Sequence, residues 1–355
     1  MSDKNIALIE LYRSHSECLY SQYLYLKKAG FNIFLISNEI PAGKLSNAFD
    51  FEDSYILKNK GNFFLWMKSL YQINKFLKKN NISTAVINTA ENSKVRDLLF
   101  FCPKINFFGI LHHIRKLEKS FSQKSITSKI RGYFTLSNYL TEKASNLSTK
   151  VHTLYTIFYP DSCCDMGITK DKNDIWVCIP GNIELKRRSY IDLIQAAATA
   201  GTKRIKFLLL GKPDPCDLKK IKKLVYSKKL GKNFIWFDNY LKNDLFFTYI
   251  RKSDFIMPLI HEEHFEEYKS NRISGSFNLG FGFQKPFIME QNFSGIPDFD
   301  IFSIYYDEKT LAETLKYIDE NHIEITSMIK KRIKENKLFL FENLQNKFLN
   351  IISEN

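Results

Sequence analysis

The stretch Lys269–Ile288, KSNRISGSFNLGFGFQKPFI, places a cationic, hydroxyl-rich turn directly ahead of a Gly- and Phe-rich helix and ends in a Lys-Pro dipeptide leading into a strand. A helix start presents free backbone N–H groups that carry partial positive charge, and glycine admits close approach of a ligand. Lys269, Ser270, Arg272, Ser274 and Ser276 add further donors, so the turn suits phosphate, with Gly275 at the point of closest approach. The same residues also read as an ordinary Ser-capped helix, and the neighbouring chain has to decide between the two.

Outward from this segment, short β-rich apolar runs alternate with longer amphipathic stretches, the pattern of βα units feeding a mostly parallel sheet. In the second half, strands are expected at Ile175–Ile179, Lys206–Leu210, Phe234–Phe237, Phe255–Pro258 and Pro286–Met289, with helices at Ser189–Ala200, Asp217–Tyr226, Lys242–Ile250 and Ser276–Phe283. In the first half, strands are expected at Ile6–Leu11, Asn32–Ile36, Thr84–Ile87, Asn106–Leu111 and Tyr133–Leu136. Helices fall between them at Cys18–Ala29, Phe63–Asn80, Ser93–Phe101 and Tyr139–Asn146. Phe158–Asp174, FYPDSCCDMGITKDKND, breaks the alternation with Pro, Gly and close-set charges. The reading is α/β, with two tandem Rossmann-like domains, 1–165 and 166–335. A terminal helical stretch, 336–355, has Phe341, Leu344, Phe348, Ile351 and Ile352 on one face.

A chain of 355 residues with 44% apolar content is expected to fold as two domains rather than one. No apolar run is long enough to span a bilayer, and charges stand where a signal peptide has its apolar stretch, so a cytoplasmic protein is expected. The six cysteines, Cys18, Cys102, Cys163, Cys164, Cys178 and Cys216, lack paired C-x-x-C spacing and read as reduced thiols. A net charge of +14 implies an anionic partner: nucleic acid, an anionic membrane surface or a phosphorylated substrate. No recognition-helix or RNA-binding signature favours nucleic acid. The segment Arg115–Arg131, RKLEKSFSQKSITSKIR, interleaves cations with Leu117, Phe121, Ile126 and Ile130 and reads as a candidate membrane-docking surface.

Ligands of open α/β sheets bind beyond the carboxyl ends of the strands, so the loops there carry the chemistry. After Ile175–Ile179, PGNIELKRRSYIDLIQAA has Gly181 leaving the strand and Lys186, Arg187 and Arg188 just before a helix. Three adjacent cations repel one another unless an anion or carboxylate neutralises them, which again suits phosphate. Tyr240, after Phe234–Phe237, is placed to face a nucleotide base, and Glu262 lies just beyond Phe255–Pro258. The acidic and imidazole group His261, Glu262, Glu263, His264, Glu266 and Glu267 matches no metal-ligand spacing, and no metal is expected.

PGNIELKRRSYIDLIQAA, FLLLGKP, IRKSDFIMPLIHEE and SGSFNLGFGFQKPFI, in this order and spacing, resemble the successive landmarks of the C-terminal domain of GT-B fold glycosyltransferases, above all the retaining family 4. The resemblance covers most of 175–290. It implies that Asn182 stands at the first diphosphate-binding arginine of the family and Arg187, with Lys186 and Arg188 beside it, at its lysine. Glu262 matches the family's first donor-sugar glutamate, whereas Leu279 stands at the second, which holds the nucleotide ribose, and about nine extra residues intervene. Ser274, Gly275 and Ser276 match the helix start that faces the diphosphate.

More weakly, GILHHIRKLEK resembles the family's N-terminal domain, where a histidine lies next to the reacting sugar: His112 first, His113 second. The loop YRSHSE suits acceptor contact through Arg13, His15 and Glu17, and GYFTLSNYLTEK resembles the strand-Ser-helix unit near the end of that domain. The resemblance thus implies an acceptor domain at 1–165, a nucleotide-sugar domain at 166–335 and a cleft between them. The expected activity is metal-independent transfer of a sugar, with retention, from a UDP- or GDP-linked donor to a glycan or lipid-linked glycan in surface polysaccharide or lipopolysaccharide synthesis. No cofactor is expected. A nucleotide-sugar epimerase of the same fold and a non-catalytic glycosyltransferase-like partner subunit are the alternatives.

Overall fold

Runs such as Ile6–Ile9 and Ile175–Ile179, buried at every residue rather than at alternate ones, have to be strands covered on both faces. In the computed structural model, which describes residues 4–12, 15–39, 48–58, 62–147, 150–160 and 166–353, they form the centres of two sheets. The first contains β1 (Asn5–Glu10), β2 (Asn32–Asn38), β3 (Asp53–Leu57), β4 (Thr84–Ile87), β5 (Asn106–Ile110), β6 (Gly132–Thr135) and β7 (Val151–Thr153), in the order β3-β2-β1-β4-β5-β6-β7. The second contains β8 (Ile175–Pro180), β9 (Ile205–Leu210), β10 (Phe234–Trp236), β11 (Phe255–Ile256), β12 (Phe287–Glu290) and β13 (Ser303–Tyr306), in the order β10-β9-β8-β11-β12-β13. The pairings between strands are parallel, and helices make the crossovers that lie within the described residues. Both orders reverse direction next to the first strand, between β1 and β4 and between β8 and β11. Those two points, where neighbouring loops part, are where a doubly wound sheet accommodates a ligand.

The chain divides into two units, 4–160 with 270–272 and 338–353, and 166–269 with 273–337. Two short pieces therefore depart from the division expected from sequence. Asn271 O accepts a hydrogen bond from Ile114 N (3.0 Å), which ties 270–272 to the first unit. The terminal helix Phe341–Ser353 also joins the first unit: Phe348 packs on Tyr25 and Phe134, and Gln345 Nε2 donates to Tyr25 O (2.8 Å).

The strands not anticipated, β3, β7 and β13, all lie at sheet edges. An edge strand has one unpaired side and a half-exposed face, so its residues alternate weakly and resemble loop; DSYIL, VHT and SIYY are of this kind. Arg115–Arg131 differs from its reading more substantially. It folds as two short helices, Lys116–Lys119 and Phe121–Thr127, with Ile126 and Ile130 buried, so these two isoleucines belong to the core rather than to a lipid surface, while Leu117 is half-buried and Phe121 exposed.

The opening stretch KSNRISGSFNLGFGFQKPFI acquires its shape from its phenylalanines. Helix Gly275–Gly282 turns Phe277 and Phe281 into a cluster with Phe287, Phe299 and Phe302, with ring centroids as close as 4.5 Å. Gly280 lies against the Phe287 ring, where a Cβ would overlap ring carbons. This glycine serves the packing of helix on strand rather than the approach of a ligand. Gly280→Ala is therefore expected to cost about 1–3 kcal/mol, read as a lower midpoint in denaturant unfolding with an unchanged slope. Gly275→Ala, at an exposed position with nothing within 4 Å of the added Cβ, is the control and should leave the midpoint nearly unchanged.

Candidate functional site

At the switch point of the second sheet, β8 ends at Pro180 and the chain turns through Gly181, whose φ of 105° lies in the left-handed region. A Cβ there would overlap the Arg188 guanidinium, so glycine is required both by conformation and by space. The loop then runs to the cationic triplet and lies along the exit of β11. Arg187 O accepts from His261 N (3.0 Å), Leu259 O from Ser189 N (3.4 Å), and Arg188 bridges to Ile260 in antiparallel fashion. The triplet is thus held by backbone on both sides rather than left as a loose tip.

The three cations do different work. Lys186 is exposed. Arg187 donates from Nη2 to Tyr268 Oη (2.9 Å) and is half-buried. Arg188 is committed to backbone: Nη2 donates to Pro180 O (2.5 Å), Nε to Asn182 O (3.2 Å) and Nη1 to Pro258 O. Its guanidinium therefore straps the end of β8 to the end of β11. Pro180 O also accepts from Ser276 Oγ (3.1 Å), which draws the start of helix Gly275–Gly282 to the same strand end. Ser274 caps that helix, its Oγ accepting from Ser276 N (3.4 Å), and Gly275 is exposed at its first position.

Asn182 is exposed and donates to Glu184 (2.9 Å). Glu262 is exposed at the start of the short 3-10 turn Glu262–His264. Tyr240 is exposed in the loop that follows β10. Lys269 pairs with Glu266 (3.5 Å) in the second unit, whereas Arg272 falls in the first, so the turn read from sequence as one cationic group is divided between units. Among the described residues no group of three or more His, Cys, Asp or Glu side chains is arranged to hold a metal ion.

Sequence reading missed Glu290, the last residue of β12 and only 5% exposed. Its Oε1 accepts from Ile260 N (2.7 Å) and Tyr306 Oη (2.9 Å), and its Oε2 has no partner among the described residues. Burial pushes the carboxyl up to about 7, against the opposing pull of these hydrogen bonds and of the Arg188 charge. A carboxylate that ends an otherwise apolar strand is the signal that marks it, and Glu10 carries the same signal in the first unit.

At the switch point of the first sheet, Glu10 ends β1 fully buried and accepts from Asn88 Nδ2 (2.5 Å), Thr89 Oγ1 (2.8 Å) and Tyr12 N (2.6 Å). Asn88, just past β4, also donates to His15 O (2.8 Å), and its own carbonyl meets His112 Nε2 at 2.8 Å. A carbonyl only accepts, so Nε2 carries the proton and Nδ1 the lone pair. Burial, and then the neighbouring His15, bring His112 down to about 4, and it is neutral at pH 7. Its ring stacks on that of His15, with centroids 3.8 Å apart, while His15 Nδ1 lies 3.5 Å from Glu17. Glu91 accepts from the backbone N–H groups of His112 and His113 and from Lys116 Nζ (2.9 Å). His15, Glu17, His112 and His113 are therefore brought together. Arg13 lies outside the described residues, as do Cys163 and Cys164. Cys18, Cys102 and Cys178 are free and buried, and Cys216 is free and exposed.

No family model and no curated protein sequence matches the chain. Solved structures do. A glycosyltransferase from Rickettsia africae superposes with a TM-score of 0.70 at 15% identity, covering 99% of this chain and 98% of that one. Anabaena Alr3699/HepE, in complex with UDP and glucose, gives 0.66 at 12% identity over 98% and 99%. The UDP-GlcNAc 2-epimerase of Neisseria meningitidis, bound to UDP-GlcNAc, gives 0.64 at 13% over 99% and 100%. The chain has the GT-B fold of two Rossmann-like domains.

Raising a buried carboxyl's pKa means that the folded state holds a proton the unfolded state has released. Stability associated with Glu290 is therefore complete below pH 4.5 and falls away as pH rises towards about 7. Glu290→Gln should remove up to about 3 kcal/mol of this pH dependence. The check is the difference between wild-type and variant unfolding free energies from pH 4.5 to 7.5, which cancels the other titrating groups. A difference that does not change with pH would show that Glu290 ionises as freely as an exposed carboxylate.

Proposed function

We propose that the chain is a metal-independent glycosyltransferase that moves a sugar, with retention, from a UDP- or GDP-linked donor to a glycan or lipid-linked glycan, in surface polysaccharide or lipopolysaccharide assembly. The observation that carries this reading is the joining, at Pro180, of the Lys186–Arg188 turn to the capped start of helix Gly275–Gly282. The Arg188 guanidinium and a helix start whose first residue, Gly275, is exposed meet at one strand end at a topological switch point, with Lys186 and Arg187 on the same loop. That arrangement suits a diphosphate and stabilises the negative charge that develops on it as the glycosidic bond breaks. In support, structures of the same fold carry UDP with glucose and UDP-GlcNAc.

In this reading Lys186 and Arg187 contact the phosphates, Arg188 shapes the loop that presents them, Gly181 and Gly275 leave room, and Asn182 borders the site. Tyr240 lies under the base, and Glu262 orients donor hydroxyls. His112, neutral and with its Nδ1 lone pair available, accepts from a sugar hydroxyl, with His113 beside it and His15 and Glu17 on the acceptor side. A lipid-linked acceptor places the work at the inner face of the cytoplasmic membrane.

An epimerase needs a carboxylate free to take a proton from the sugar carbon. The two buried carboxylates at the first switch point, Glu10 and Glu91, already accept from amide, hydroxyl or ammonium donors, which disfavours that role for them.

The test is a thermal-shift panel of nucleotides, followed by calorimetry. UDP or GDP should raise the melting temperature selectively, and Arg187→Ala should weaken that nucleotide by about ten- to a hundredfold without lowering the unliganded melting temperature much. Arg188→Ala should behave differently and lower the unliganded melting temperature, because the Asn182 and Pro258 carbonyls lose their side-chain donor and the Pro180 carbonyl keeps only Ser276 Oγ. Protection by oligonucleotides instead of nucleotides, or unchanged affinity in Arg187→Ala, would refute the reading.

A further inference from the structure

Helix Phe63–Lys79, FFLWMKSLYQINKFLKK, buries Leu70, Ile73, Phe76 and Leu77 against the first unit, as an amphipathic helix should. Its other side mixes large apolar residues with lysines. Phe64 is 79% exposed and Tyr71 60%, and at 100° per residue they share one outward stripe with Met67, Lys68, Lys75 and Lys78. Large exposed apolar residues interleaved with lysines on one stripe are the composition of a helix that lies at an interface rather than of an ordinary solvated face. This one carries four lysines and no carboxylate, and Lys68, Lys75 and Lys78 make no ion pair among the described residues.

Two neighbouring helices extend the face. Trp66 Nε1 donates to Asp97 (3.1 Å) in helix Ser93–Phe101, and Arg96 of that helix reaches Ser122 (3.4 Å) beside Phe121, which is 79% exposed. Each of the three helices follows a strand of a parallel sheet, so its first turn lies at the carboxyl edge of that sheet. Phe63, Phe64 and Phe121 are in those first turns, and Glu10 and His112, at the strand ends, lie at the same edge.

We infer that this face, formed by the outward stripe of helix Phe63–Lys79 with Phe121, docks on an anionic lipid bilayer. Aromatic rings and a methionine enter the headgroup boundary while unpaired lysines meet acidic headgroups, the combination that holds an interfacial helix. The arrangement also brings the His112 edge towards the surface, where a lipid-carried acceptor would lie. Only that usefulness rests on the glycosyltransferase reading; the docking itself does not.

The experiment is co-sedimentation of the full chain, without nucleotide, with phosphatidylcholine vesicles containing rising fractions of phosphatidylglycerol, at low and high salt. The wild type should bind as the anionic fraction rises and release with salt. Phe64→Ser with Tyr71→Ser, and separately Lys68→Gln with Lys75→Gln and Lys78→Gln, should each weaken binding about tenfold or more. Lys124→Gln with Lys129→Gln, in the segment whose isoleucines are buried, should bind like the wild type. All of these side chains are exposed or half-buried, so folding is not at stake, and circular dichroism checks it. Absence of wild-type binding, or stripe variants that both bind as tightly as the wild type, would overturn the proposal. So would a dimer that dissociates on Phe64→Ser without any vesicle binding, since a second copy of the chain would then cover the face. Nucleotide affinity, measured in parallel, tests the donor reading independently of all these outcomes.

Discussion

The second unit depends on one cation whose partners are all backbone. At the switch point of a parallel sheet, two neighbouring strands end and their chains leave in different directions, so their last carbonyls lose the ladder partners that the strand interior provides. Arg188 supplies donors to carbonyls at both exits, Pro180 and Pro258, and to Asn182 O in the loop between them and the triplet. The consequences spread outward from there. Gly181 has to be glycine because the guanidinium occupies the space of a side chain, Arg187 and Lys186 are presented because their loop is paired with 259–261, and Ser276 brings a helix start to the same carbonyl. A lysine could not replace it, since an ammonium group lacks the planar fork that spans two strand ends.

The first unit orders its switch point around a carboxylate, which accepts hydrogen bonds where Arg188 donates them. Glu10 gathers Asn88, Thr89 and the Tyr12 amide, and Asn88 in turn fixes the His15 loop and the proton of His112. A histidine so placed is neutral by environment, and its open nitrogen is an acceptor. Two polar hubs, one acidic and one basic, thus organise the carboxyl edges of the two sheets.

Much of the architecture is legible in the sequence because the central strands are buried on both faces, and burial on both faces leaves unbroken apolar runs. Ten of the strands stand where such runs predict them; β3, β7 and β13 do not, because an edge strand need be apolar on only one side. The sites are legible to a lesser degree. The residue types at the β8 and β11 exits pointed to an anion, yet a run of Lys-Arg-Arg does not say which guanidinium turns inward; that follows from the carbonyls of Pro258 and Pro180, the first of them far away in sequence. Glu10 and Glu290 were visible as carboxylates closing apolar strands, a pattern that has no meaning until the strand order places them at switch points. Ile126 and Ile130 misled because a short stretch of mixed cations and apolar residues has the same composition whether its apolar side faces a core or a membrane.

Hydrogen–deuterium exchange of the full chain, with and without UDP or GDP, addresses the central claim most directly, because it reports where a nucleotide binds as well as whether it does. Slower exchange confined to the amides of 181–188 and the first turn of helix Gly275–Gly282 is the expected result. Saturating nucleotide that leaves these amides unchanged, or protects a different set, would contradict a diphosphate site at the end of β8.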